Sequence, residues 1–193
     1  FNPNRRNSEL RKRWGVAEDE IAVIHVGRVA PEKNIALAVQ AFEQMRKVES
    51  KLKLVFVGDG PLLPSIKKAH PDYVYCGMKR GTELAEHYAS ADVFLFPSMT
   101  ETFGNVVLEG LASGLALVAF DYAAPQTHIK HGVSGLLAPF EDNETYCQQA
   151  VKMIESKASI DKMKTAARAH AETITWEAEV EKLRHLINKL LQK

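Results

Sequence analysis

Two glutamates eight positions apart frame the most chemically suggestive stretch of the chain, "SMTETFGNVVLEG" at residues 98–110. An ionised carboxylate is a pure acceptor and can hold two hydroxyls of a sugar ring at once, so Glu101 and Glu109 suit polyhydroxylated ligands. Between them Gly104 lets an anion approach the backbone with no Cβ in the way. The helix that follows would present free N–H groups and the positive end of its dipole to that anion. Upstream, "GRVAPEKN" carries Arg28 and Lys33, two cations able to face the same point. The combination asks for a diphosphate with a sugar on either side: ribose at one glutamate, a transferred hexose at the other.

Such a site needs a frame that brings residues 28 and 101 together, and the chain supplies one. "IAVIHV" (21–26), "LKLVFV" (52–57), "YVYC" (73–76), "DVFLF" (92–96), "LALVAF" (115–120) and "SGLLA" (134–138) are short apolar runs that end at turn residues. Their nearly continuous apolar character predicts strands covered on both faces, as in a parallel sheet. Helical patterns separate them. Asn34 can cap a helix with Ile35, Ala38, Val39, Phe42 and Met45 on one stripe; Thr82 can cap "ELAEHYASA"; Asn105 can cap "VVLEGLASG", with Gly114 stopping it. The alternation predicts an α/β fold, a doubly wound, six-stranded Rossmann-like sheet of order 3-2-1-4-5-6. In that order the first and fourth strands are neighbours, and their loops diverge to open a ligand crevice at the carboxyl ends of the strands.

Residues 143–193 change character and read as three helices. The last carries an apolar stripe of Trp176, Val180, Leu183, Ile187 and Leu190, docked on its own domain in the simpler reading and packed in part against a missing domain in the sharper one. Residues 1–18 read as a polar linker, which implies a preceding domain. One domain over 1–193 accommodates the rest: 193 residues, 46% apolar, 25% charged, net charge +1. Balanced charge gives no argument for a nucleic-acid partner. Cys76 and Cys147 make no disulfide framework, and a cytoplasmic setting is expected, with the full-length protein peripheral to a membrane as a variant of it.

"ETFGNVVLEGLASG" closely resembles the E-x7-E signature of retaining nucleotide-sugar glycosyltransferases with two Rossmann-like domains, the GT-B "group 1" family. "HVGRVAPEKN", "VFVGDGP" and "ADVFLFPSMTETFGNVVLEGLASG" follow that family's pattern in order, and the likeness covers nearly the whole chain as a C-terminal donor-binding domain. The resemblance implies that Arg28 and Lys33 bind the diphosphate, Glu101 the donor sugar and Glu109 the ribose. It places backbone groups of Phe103, Gly104 and Asn105 against the sugar and phosphates with Val106 nearby, and Gly77 and Met78 beside the base. It further implies a UDP- or GDP-hexose as donor substrate, no cofactor and no metal, an acceptor domain missing from this chain, and a lipid or saccharide acceptor. The absence of an Asp-x-Asp pair in the sequence agrees with metal independence. The chain departs from the family at "DYAAPQTHI": Ala123, Ala124 and Gln126 stand where two glycines and a glutamate are common. A similar "DYAA" occurs in some glycolipid-forming members.

Other signals read more plainly. "GDGP" at 58–61 lacks the third glycine of a dinucleotide fingerprint and reads as a tight turn before a helix. His128 and His131 have no accompanying ligand cluster and read as surface residues. His25 reads as a satisfied core histidine and Cys76 as packing. A sugar-nucleotide epimerase half would bind the same ligand class but lacks an evident acid/base set. A non-catalytic nucleotide-sugar-binding module is the other alternative.

Overall fold

A computed structural model describes residues 1–100 and 104–191. Six strands, β1 (Ala22–Val26), β2 (Lys53–Val57), β3 (Val74–Tyr75), β4 (Val93–Phe96), β5 (Ala116–Phe120) and β6 (Gly135–Ala138), form one parallel sheet in the order β3-β2-β1-β4-β5-β6. Each begins at the second residue of its apolar run, and the expected doubly wound α/β architecture is what the chain adopts.

The unbroken apolar character of the runs follows from burial on both faces, with side chains alternating between two cores. Val23, Val93, Leu95, Ala116, Val118 and Phe120 point into one core, which α2 (Ile35–Val48) and α7 (Asn143–Ile154) cover. Ala22, Ile24, Val26, Phe94, Phe96, Leu117 and Ala119 point into the other, closed by α1 (Ser8–Trp14), α4 (Gly81–Ser90) and α5 (Asn105–Ala112). The short α3 (Leu63–Ala69) and α6 (Ala123–His128) sit in the crossovers, and α8 (Lys157–Glu172) and α9 (Trp176–Leu191) end the chain.

Residues 1–18, expected to be a linker, instead hold a 3-10 turn and α1, anchored by buried Leu10 and Trp14. A fully buried arginine explains why the segment looks polar in sequence. Arg11 donates through Nη1 to the Ser90 carbonyl (2.8 Å) and Asp92 Oδ2 (3.0 Å), and through Nη2 to the carbonyls of Ala17 (2.7 Å) and Glu20 (2.6 Å). Asp92 sits just before β4 and gathers remote parts of the chain. Its carboxylate accepts from Arg6 (3.1 Å), from Lys164 on α8 (2.9 Å) and from the Ala22 N–H (3.0 Å) as well as from Arg11. Burial alone would raise the Asp92 pKa, but Lys164, Arg6 and these hydrogen bonds hold it below its ordinary value.

Helix starts differ from expectation in an instructive way. Thr82 lies inside α4, which begins at Gly81 behind Arg80. Asn34 precedes α2 in a left-handed conformation (φ 50°), its side chain making no cap bond. Asn105 is the first residue of α5, and Gly104 (φ 72°) occupies the cap position. The backbone path out of each loop, not a capping side chain, sets these starts. Gly114 (φ 70°) does end α5 as expected. On α9, Val180, Leu183, Ile187 and Leu190 are exposed, so this part of the stripe does not dock on the domain; the Trp176 side chain lies outside the described residues.

Ala123 opens α6 at φ 50°, a conformation that costs an L-residue with a Cβ about 1–2 kcal/mol. Ala123→Gly is therefore expected to stabilise the chain by about 1 kcal/mol or less, after the extra unfolded-state entropy of glycine is deducted. A rise in urea midpoint at constant slope would show it; an unchanged or lower midpoint would mean that the strain is absent.

Candidate functional site

The loops leaving β1, β2 and β3 meet at the carboxyl ends of the strands, knitted by main chain. The Val29 N–H donates to the Asp59 carbonyl (2.9 Å), Leu62 N–H to Val29 (3.1 Å) and Gly58 N–H to Gly77 (2.9 Å). Contact is so close that a Cβ on Gly58 would stand 1.9 Å from the Gly27 carbonyl oxygen, and one on Gly60 2.3 Å from that of Val29. No residue but glycine fits at either position.

Above these loops opens a cavity of about 690 Å³, lined by Val26, Gly27, Arg28, Val57, Gly58, Asp59, Gly60, Met78, Lys79, Leu84, Tyr88, Val106 and Glu109. Four of the sequence-derived residues, Arg28, Met78, Val106 and Glu109, thus share one chamber. Gly77, next to Met78, carries a positive φ of 68° with open space where a Cβ would be. Asn105 lies instead in a smaller adjoining cavity of about 270 Å³, with Glu109 common to both. Glu101 and Phe103 lie outside the described residues.

Lys33 reaches across the crevice from the β1 loop to the β4 loop, where its ammonium donates to the Thr100 carbonyl (3.0 Å) and Ser98 Oγ (3.3 Å). Arg28 is mostly exposed and pairs with Glu32 at 3.0 Å. Exposed pairs are worth only about 0.2–1 kcal/mol, so a doubly charged anion in the cavity can take the guanidinium from Glu32. Across from them α5 begins behind a glycine that has no side chain to cap its N–H groups. Gly104 is required twice over, by its φ and because a Cβ there would lie 2.0 Å from the Ala124 Cβ. Ala124, one of the two alanines departing from the family pattern, therefore packs directly on the start of α5.

Glu109 is half-buried on the first turns of α5 and accepts from the Tyr88 hydroxyl at 3.1 Å. Burial raises its pKa, and the Tyr88 hydrogen bond partly opposes that rise. Chemically the chamber offers a recruitable guanidinium, a glycine-lined floor, an apolar wall at Met78 and Leu84, and a carboxylate already seated. That is an arrangement for an anion joined to a hydroxylated ring and a flat apolar group.

Sequence reasoning missed part of this wall. Gly58, Asp59 and Gly60 belong to "GDGP", which follows the family pattern and reads as a tight turn; its two glycines behind an apolar strand are also a signal of close backbone approach to a site. Tyr88, Leu84 and Lys79 belong to α4 and its preceding loop, and carried no motif. His25 is only half satisfied among the described residues: Nδ1 donates to the Leu95 carbonyl (3.2 Å), while Nε2 is buried without a partner. Burial, with Lys33 adding to it, lowers its pKa to about 4, so it stays neutral near pH 7. Of the paired histidines, His131 Nδ1 accepts from the Leu137 N–H (3.0 Å), and the His128 ring lies 5.8 Å from that of His170. Burial raises the Cys76 thiol pKa, as befits a packing residue. Among the described residues no helix is long and apolar enough to cross a membrane.

The chain is similar to known proteins over most of its length. Over 191 residues, 96% of the chain, it is 33% identical to the sulfoquinovosyl transferase SQD2 of Arabidopsis thaliana. Over 151 residues, 78% of the chain, it is 39% identical to a GDP-mannose-dependent alpha-mannosyltransferase of Mycobacterium tuberculosis. The matches span only 37% and 38% of those two proteins. A solved structure of the pneumococcal O-GlcNAc transferase GtfA, in complex with UDP and GlcNAc, superposes with a TM-score of 0.74 at 26% identity, covering 90% of this chain and 36% of that one. Residues 20–156 match the family described as Glycosyl transferases group 1. The chain belongs to the group 1 glycosyltransferases.

Proposed function

We propose that this chain is the donor-binding part of a retaining hexosyltransferase that takes a UDP- or GDP-hexose and passes the sugar to an acceptor hydroxyl. The observation that carries the reading is the shared chamber of Arg28 and Glu109 at the carboxyl ends of the strands. The diphosphate lies between Arg28, Lys33 and the amino end of α5; the ribose hydroxyls go to Glu109; the base lies along Gly77, Met78 and Leu84. Glu101 takes hydroxyls of the hexose, with backbone groups of Phe103, Gly104 and Asn105 beside the sugar and phosphates.

In the transfer step the bond from the anomeric carbon to the diphosphate oxygen breaks, and a bond to the acceptor oxygen forms with net retention. The acceptor proton leaves to the departing diphosphate or to solvent. Charge grows on the leaving diphosphate, and Arg28, drawn from Glu32, together with Lys33 and the helix N-terminus stabilises it in place of a metal ion. The acceptor, a lipid or a saccharide, binds to a domain outside this chain, and the isolated chain binds donor but barely turns it over. The partial span of its relatives supports that division.

A thermal-shift panel tests the reading. A nucleoside diphosphate or its sugar at 100 times Kd should add about 2.7 kcal/mol of stability, a rise of roughly 5–10 °C for a chain this size. UDP or GDP and the matching sugar nucleotide should give it, and orthophosphate should not. No shift with any of them, or an equal shift with orthophosphate, would overturn the proposal.

A further inference from the structure

Tyr88 is fully buried on α4 beside the chamber, and its hydroxyl donates to Glu109 Oε2 at 3.1 Å. The ring cannot drift, because it stands edge-on to Phe94 at 5.9 Å. The same Phe94 packs against the backbone of α5 one residue beyond Glu109. Gly110, the next residue on α5, lies so close that an added Cβ would stand 2.9 Å from the Phe94 ring. One aromatic side chain of β4 therefore packs against both the Tyr88 ring and the helix turn that carries Glu109.

Resting on the donor-binding reading above, we infer that Tyr88 is a positioning residue for ribose recognition, holding the Glu109 carboxylate in the rotamer that grips the ribose hydroxyls. A free glutamate side chain has three rotatable bonds, and ordering them on ligand arrival weakens binding. With Oε2 already engaged, that loss is taken at folding, and the remaining lone pairs of the carboxylate are aimed before the ligand enters. The hydroxyl also partly opposes the rise in the Glu109 pKa that burial causes, which keeps the carboxyl in its acceptor form. Tyr88 touches no reacting atom in this scheme; it acts through Glu109.

The test compares the tighter-binding of UDP and GDP with its 2′,3′-dideoxy form, by calorimetry on the wild-type chain, Tyr88→Phe and Glu109→Gln. Loss of both ribose hydroxyls should weaken wild-type binding by about tenfold or more, the range for hydrogen bonds to a charged group. Tyr88→Phe keeps the buried ring, and should reduce that ratio to about threefold or less while binding of the dideoxy compound stays unchanged. A merely structural loss would weaken both compounds alike and leave the ratio intact. Glu109→Gln should shrink the ratio as well, and the double variant should add little to either single one. Full ribose discrimination in Tyr88→Phe, with Glu109→Gln having lost it, would overturn the role of Tyr88 alone. Unaltered discrimination in Glu109→Gln would remove both assignments, and a wild-type chain binding neither nucleotide would remove the donor-binding reading itself.

Discussion

Asp92→Ala is expected to lower the unfolding free energy by about 3–5 kcal/mol, the usual cost of removing one partner from a buried ion pair. Arg11 has no exposed side-chain surface and would keep its charge in the interior with only carbonyls and a 3.8 Å contact to Glu18 for compensation. The Ala22 N–H would lose its acceptor as well. Arg6, α8 through Lys164, and the start of β1 are all tied to this carboxylate, so the loss falls on three chain segments at once. The melting temperature should fall on the order of 10 °C. A drop below about 1 kcal/mol would show that the carbonyl contacts suffice by themselves.

The same carboxylate gives a pH dependence of known sign. Its native pKa lies below the unfolded value of about 3.9, so its contribution is fully present above that pH. It is lost as pH falls from there through the native pKa. Urea titrations of wild type and Asp92→Asn should therefore differ most near neutrality and converge in acid below about pH 4. A gap that persists undiminished below the native pKa would sink the assignment.

Arg28→Ala in the full-length enzyme should cut kcat/KM by about 10²–10³, the range seen when one preorganised donor to a developing negative charge is deleted. Arg28 is a cleaner probe than Lys33. Lys33 also ties the β1 loop to Ser98 and Thr100, so its removal mixes loop geometry with charge. Arg28 contributes only an exposed pair with Glu32, and its loss should leave the unfolding midpoint nearly unchanged. Unaltered turnover in Arg28→Ala would end its role in diphosphate departure.

Most of the frame was legible because its cause is local. A strand buried on both faces must be apolar throughout, so "IAVIHV" and "LALVAF" announced β1 and β5 within a residue. Where burial runs through a charge, the pattern fails: α1 was hidden because Arg11 is swallowed whole, its Nη1 held by residues as distant as Ser90 and Asp92. Helix starts were off by one or two positions at Thr82 and Asn105, because left-handed or extended backbone entering each helix, not a capping side chain, sets the start. At the site, Arg28 and Glu109 could be read from their places behind β1 and β4. Tyr88 could not, since one buried aromatic on an amphipathic helix looks like any other until its hydroxyl is seen to reach Glu109.

The contact of Gly58 with the Gly27 carbonyl has a bearing on selectivity. On the donor-binding reading, a chamber floor of bare peptide offers a ligand only main-chain N–H and C=O groups, which mutation could alter only by breaking the loops apart. The adjustable side chains are then those of the flanks, Met78, Lys79 and Leu84, which can change without disturbing the sheet. A shift in base preference should thus be reachable by exchanges on that rim while the platform beneath stays as it is.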